Sequence, residues 1–418
     1  MKREMLLPAG ILFLLLVSAA CNKAGNEPMT ADQLLGNPAY PAISYGGYRE
    51  NTRDVVPPVE EIKEDLRILD AMGIRMLRTY NTQQFPHAER LLEAIREMRE
   101  NDPRFEMYVM LGAWIDCKDA FTETPDHSSE DVEGNTAEIN AAVRLANTYP
   151  EIVKIIAVGN EAMVHWATSY FVEPGVILSW VEYLQNLKKG GGLPSGLWIT
   201  SSDNFASWGG GDSSYHKPDL EKLIRAVDYI SIHTYPFHDT HYNPDFWRVP
   251  PGDQSLAKEA QVQQAMHRAA GYARQQYHAV QKHVASLGME KEIHIGETGW
   301  ATKDNYLYGV EGSKAADEYK QKCYYDSISA WTERENISCF FFQAFDEPWK
   351  DSTNPVGSEN HFGLLTVDGK AKLVLWDKVD AGVFEGLSRG GNPIRKSYGG
   401  DLDKLMTDVL PPVPRNME

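Results

Sequence analysis

Cysteine is scarce in this 418-residue chain, which holds four, and only three remain once Cys21 near the N-terminus is set aside. Cys117, Cys323 and Cys339 stand at irregular spacing, which builds neither a disulfide framework nor a zinc site; buried free thiols are the expectation. Positive charge is also in short supply. The 41 Lys and Arg against 59 Asp and Glu leave a net charge of −18. That balance argues against nucleic acid or anionic lipid surfaces as partners, since both select basic patches. A strongly anionic polysaccharide is disfavoured on the same ground, and a neutral substrate fits better. No fixed-period repeat and no low-complexity block interrupts the chain. A phosphate-cradling turn is missing too. The segment "SYGGYREN" after the first apolar run lacks the spaced glycines and the following helix that a dinucleotide turn needs. No cofactor is called for.

What the chain does have begins with an address. Lys2 and Arg3 precede "MLLPAGILFLLLVSAAC", an apolar run closed by small residues and too short for a comfortable membrane span. It resembles a bacterial lipoprotein signal ending at an acylated cysteine, here Cys21, although Ser18 stands where that pattern prefers leucine. The resemblance implies removal of residues 1–20, a lipid anchor, and a place in the cell envelope: outer membrane, cell surface or periplasm. Residues 21–40 read as a flexible tether.

Beyond residue 41, short apolar runs alternate with helical patterns. Strands are expected at 42–47, 74–80, 106–114, 154–161, 197–203, 227–235, 292–300 and 338–347. Between them, "PPVEEIKEDLRILDAMG" carries Pro58 in a first turn, acidic residues at the helix start and Gly73 as a stop. The segment 255–288 is the longest helical pattern, as one helix or two. Eight apolar strands alternating with helices imply a parallel sheet covered on its faces, and the count is that of a (β/α)8 barrel with enlarged loops. A doubly wound open sheet is the structural alternative. The expected organisation is a single catalytic barrel over residues 41–385 and a C-terminal tail over 386–418, able to wrap the barrel or stay loose. A monomer is expected.

Two of these strands end in an unusual way. "KIIAVGNEA" runs apolar and then closes on Asn160 and Glu161, and "EIHIGETGW" places Glu297 after a similar run. A carboxylate at such a position is costly to desolvate unless something uses it. In a barrel the fourth and seventh strands face one another across the mouth. By period-two parity, Glu297 shares a face with Ile293 and Ile295, so it is expected to look inward with the apolar filling. Two carboxylates facing across a cleft are the apparatus of glycoside cleavage: one gives a proton to the leaving oxygen, the other attacks the anomeric carbon or activates water.

The segments "VGNEA" and "IGETGW" resemble the two signatures of glycoside hydrolase family 17, the β-1,3-glucanase family of a barrel clan, over most of residues 42–377. The resemblance implies that Glu161 is the acid/base and Glu297 the nucleophile of a retaining mechanism. "AFDEPWK" is similar to the family's strand-eight segment, placing Glu347 and Lys350 in supporting roles. "IHTYPF" is similar to its strand-six segment, placing Tyr235 beside the nucleophile, with His233 where the family has asparagine. Ala301 stands where the seventh-strand signature usually has proline. Asn160 is expected to bind a sugar 2-hydroxyl. Trp300, Tyr45 and Arg78 are further candidates for substrate binding, Trp300 by stacking on a sugar ring. His238 and His241 fit no metal motif. The implied activity is hydrolysis of β-1,3-glucosidic bonds in laminarin-type glucans, endo-acting. A transglycosylase, an exo-acting enzyme and a non-catalytic glycan-binding lipoprotein are the alternatives.

Overall fold

The computed structural model describes residues 29–415. The signal segment and Cys21 lie outside them. Eight strands form where the apolar runs were expected: β1 (Ala42–Ser44), β2 (Met76–Arg78), β3 (Tyr108–Ala113), β4 (Val153–Asn160), β5 (Trp198–Asn204), β6 (Ile230–His233), β7 (Ile293–Gly299) and β8 (Cys339–Phe342). They pair in chain order, all parallel, and β8 closes on β1. The result is a (β/α)8 barrel. The helices obey their sequence signals. Val59–Met72 starts behind Pro58 and ends at Gly73, whose φ of 88° is a left-handed cap that glycine adopts at little cost. The long pattern is one helix, Lys258–Ser286.

Strand residues of one parity pack outward against the helices, as Leu77, Val109, Ile156, Ile232 and Ile295 do. Those of the other parity fill the barrel: Met76, Tyr108, Met110, Ile155, Ala157, Tyr229 and Phe340. Ala31, Leu34 and Leu35 join this inner cluster. Residues 29–40 are therefore folded, not a loose tether. A capping box between Thr30 and Gln33 starts the helix Ala31–Leu34. The Ala31 N–H donates to the Gly196 carbonyl at 3.2 Å, and the Gly36 N–H to Ser338 Oγ at 2.9 Å. The tail wraps the barrel. Its Arg389 is buried and clasps Asp65 with two hydrogen bonds of 2.8 and 3.1 Å, while Ile394, Leu405 and Val409 join the outer core. Cys117, Cys323 and Cys339 are free thiols; the first is buried and the others half-buried.

Parity fails at one decisive place. Ile293 and Ile295 face the helices, whereas a Cβ on Gly296 would meet Ser231 Oγ inside the barrel at 2.1 Å. By alternation alone Glu297 would then point out. Instead β7 bulges: Ile232 pairs with Ile295 but His233 pairs with Glu297, and Cys339 pairs with Ile295 but Phe341 with Thr298. The extra residue turns Gly296 and Glu297 inward in succession. A second bulge in β4, between the pairings of Ala157 and Asn160 with β5, surrounds Gly159 at φ 80°. It aims Asn160 and Glu161 at the mouth.

Candidate active site

The strand C-termini open into a cleft of about 1030 Å³, and Asn160, Glu161, Tyr235, Glu297, Glu347 and Lys350 all line it. The two distant glutamates thus share one opening. Glu161 holds its place with φ at 48°, a left-handed conformation costly for a residue with a side chain; its N–H donates to the Ser202 carbonyl at 3.0 Å.

Arg78, buried at the end of β2, ties the centre together. Its guanidinium pairs with Glu297 Oε2 and donates to Asn160 Oδ1 and, at 3.2 Å, to the Gly296 carbonyl. It also reaches His233 Nε2 at 3.2 Å. Tyr235 donates its hydroxyl to Glu297 Oε1 at 2.6 Å. Both oxygens of Glu297 are therefore engaged by donors.

His233 sits between the glutamates, with Nδ1 3.1 Å from Glu161 Oε1 and Nε2 2.8 Å from Ser202 Oγ. Guanidinium carries donors only. Its contact with Nε2 leaves the lone pair there and the proton on Nδ1, which donates to Glu161 Oε1. Burial lowers the imidazole to about 4, so it stays neutral. With Oε1 accepting, an acid proton on Glu161 resides on Oε2.

The two carboxyls are pushed in opposite directions. Burial, and next the charge of Glu297, raise Glu161 to about 8. Burial works against ionisation of Glu297 as well, but the adjacent Arg78 charge and the Tyr235 hydroxyl overcome it and hold that carboxyl near 2. At neutral pH one is an acid and the other an anion, the division of labour that acid-assisted nucleophilic displacement requires.

Glu347 is buried against the turn after β1. The Tyr48 N–H donates to its Oε1 at 3.3 Å, and a Cβ on Gly46 would lie 1.9 Å from that oxygen, which is why glycine stands there. Lys350 Nζ is 3.9 Å from Glu347 Oε2. Both residues line the cleft.

Four candidates do not line the cleft, and two of them, Trp300 and Tyr45, belong to the core. Trp300 is fully buried behind β7, where its indole N–H donates to the Ala315 carbonyl at 2.8 Å and its ring packs 5.2 Å from Tyr324. The bulge that turns Glu297 inward leaves Thr298 and Trp300 facing the helix Glu318–Arg334, so Trp300 is a core residue. Tyr45 is buried as well, with its hydroxyl 3.1 Å from Asp65 Oδ2; Tyr48 reaches the cleft in its stead. Arg78 and His233 are near the chemistry but act on the glutamates from below, closed off from solvent.

Other wall residues carry no local sequence signal. Phe121, Trp166, Tyr170, Tyr48 and Tyr308 come from irregular loops, and His238 from the short helix Pro236–Tyr242. Their one signature is the presence of large aromatics in polar loops after strand ends. His238 is not a solvated loop residue: its Nδ1 lies 3.0 Å from the Tyr308 hydroxyl.

A (β/α)8 barrel with an acid and an ionised carboxylate at the ends of β4 and β7 defines a glycosidase-type centre. Comparison with known proteins agrees. The family model described as the BtgE/BtgC glycoside hydrolase domain matches residues 42–363, and the chain belongs to that family: it is a glycoside hydrolase. An endo-laminarinase from Formosa Hel1_33_131 is 59% identical, with a TM-score of 0.91 over 93% of this chain and 99% of its own. A glucan 1,3-beta-glucosidase of Arthroderma benhamiae is 25% identical over 75% of this chain and 83% of its own. A family 17 β-1,3-glucanosyltransferase from Rhizomucor miehei is 19% identical, with a TM-score of 0.54 over 79% of this chain and 94% of its own, and shares the fold. The resemblance to family 17 read from the two glutamate segments agrees with these findings.

Proposed function

We propose that this chain is an endo-acting β-1,3-glucanase that cleaves laminarin-type glucans with retention of configuration. The observation that carries the reading is the pair Glu161 and Glu297 in one cleft, the first held protonated and the second ionised. The name of the 59%-identical relative, an endo-laminarinase, supports the substrate and the endo action.

In the first step Glu297 attacks the anomeric carbon while Glu161 gives its proton to the departing oxygen, so the glycosidic bond breaks as the ester to Glu297 forms. Esterification removes the negative charge of Glu297. One of the influences raising Glu161 is then gone, and Glu161, now a carboxylate, becomes a better base. It takes a proton from water as the water oxygen bonds to the anomeric carbon and releases Glu297. Asn160, whose Oδ1 is occupied by Arg78, presents its amide N–H to the 2-hydroxyl of the attacked sugar. Arg78 keeps Glu297 ionised, Tyr235 fixes its orientation, and His233 fixes the oxygen of Glu161 that carries the proton.

Reducing ends released from laminarin test this reading. Wild type should release them, as a ladder of early products from internal cleavage. Glu161→Gln and Glu297→Gln should each lower turnover by about 10³-fold or more with folding intact. Near-wild-type turnover in either variant would overturn the assignment. For Glu297→Ala, added azide should yield a glycosyl azide of inverted configuration.

We also propose that Cys21 carries a lipid anchor at the bacterial cell envelope, supported by the apolar run that precedes it. Metabolic labelling with a fatty acid should mark the wild-type chain and not Cys21→Ser; equal labelling of both would contradict the anchor.

A further inference from the structure

The chemistry uses the floor of the cleft, yet its most exposed rings stand higher, on one wall. Phe121 is 61% exposed and Trp166 is 60% exposed, and both line the cleft. The Phe121 loop is not a loose one. The Phe121 ring stacks on Tyr170 with centroids 5.5 Å apart and planes 28° apart, and Tyr170 rests 5.1 Å from Trp114. The backbone is stitched beneath them: the Phe121 N–H donates to the Ser169 carbonyl at 2.8 Å, and the Cys117 N–H to the Tyr170 carbonyl at 3.1 Å. Asp119 and Phe121 adopt φ of 55° and 61°, left-handed conformations that side chains resist. The fold thus spends strain to hold an apolar ring in water, at the edge of its own catalytic cleft.

The side of the cleft gives the wall a role. Phe121 and Tyr170 come from the loops after β3 and β4, next to Glu161, and burial followed by the Glu161 charge raises the Tyr170 hydroxyl. Tyr80, whose hydroxyl feels the Glu297 charge, lies at the end of β2 on the other side, with Tyr48 and Trp349 beyond it. The attacked sugar sits over Glu297, and the departing sugar lies beyond Glu161, which protonates the oxygen between them. We propose that Phe121, Tyr170 and Trp166 form a stacking platform for the leaving-group side of a β-1,3-glucan, gripping the glucose units beyond the cleaved bond. Glucose rings present apolar C–H faces that suit aromatic planes. The proposal rests on the glucanase reading and deepens it, because cleavage within a chain needs both sides of the bond held.

The test compares kcat/KM on laminarihexaose, whose departing portion would lie on the platform, with kcat/KM on β-laminaribiosyl fluoride, whose leaving group is a fluoride ion. In Phe121→Ala and in Trp166→Ala the ratio of the first to the second should fall about tenfold, the scale of one lost ring contact. Phe121→Tyr should restore it. A ratio equal to wild type would overturn the platform, whether both rates persist or both fall together. A wild-type enzyme that cleaves neither substrate would remove the glucanase reading itself, and the platform with it.

Discussion

At the scale of single residues, the centre is organised by one cation. Arg78 is the positive charge in contact with Glu297, and its fork also reaches Asn160 and His233. Lysine keeps the charge but cannot hold three partners in a plane. Arg78→Lys should therefore lower kcat/KM by about 10²-fold, the scale of losing a preorganised donor. Its acid limb should move to higher pH, because Glu297 loses part of what depresses it; an unshifted limb would contradict the role given to Arg78. The wild-type pH profile follows from the two glutamates. The proposed mechanism requires Glu161 protonated and Glu297 ionised, so activity should fall as pH rises through about 8 and as pH drops toward about 2. Glu161→Asp should keep an alkaline limb and Glu161→Gln should lose it, as read from kcat/KM on the fluoride donor. Both glutamates were legible in the sequence because two apolar strands, in the right order, close on the paired segments "VGNEA" and "IGETGW"; a single strand-end glutamate is more often structural. Trp300 was misread because tryptophan next to a catalytic motif suits a sugar and a core equally well.

At the scale of elements, the barrel was legible and its irregularities were not. All eight strands and the helix Val59–Met72 follow from apolar runs, Pro58 and Gly73. The parity argument for Glu297 reached the right face for the wrong reason. It took Ile293 and Ile295 as barrel filling, whereas they pack on helices, and a bulge reverses the alternation at Gly296. A bulge adds one residue to a pairing that no single strand displays, so period-two reasoning cannot see it. Gly296 now has a defined task. A methyl there would lie 2.1 Å from Ser231 Oγ and 2.4 Å from Ser202 Oγ, and Ser202 supports His233. Gly296→Ala should displace these serines and cost about 10²-fold in kcat/KM, the scale of a small misplacement of catalytic groups. Wild-type kinetics in that variant would show the bulge to be indifferent to this residue.

At the scale of the whole molecule, both ends of the described chain close the barrel. Residues 31–35 join the inner cluster from below, and the C-terminal segment binds the helix Val59–Met72 through Arg389 and Asp65. From sequence, residues 21–40 read as a tether and the tail as free to wrap the barrel or stay loose, because neither has long apolar runs. What fixes them is a capping box, a few small apolar side chains and one buried ion pair, each weak in sequence and strong only once packed. Arg389→Leu should destabilise the fold by about 3 kcal/mol in denaturant titration, since Asp65 stays buried with only Arg49 to pair with. A chain starting at residue 41 should melt well below one starting at residue 29, and equal melting temperatures would return residues 29–40 to the role of a tether.

The central claim is that Glu297 forms a covalent bond to sugar while Glu161 manages the proton. Incubation with 2-deoxy-2-fluoro-β-laminaribiosyl fluoride, followed by mass analysis of the peptides, tests it most directly. The account predicts one adduct of a fluoro-disaccharide on Glu297. An adduct on another residue, or turnover of the reagent with no adduct at any stage, would contradict it.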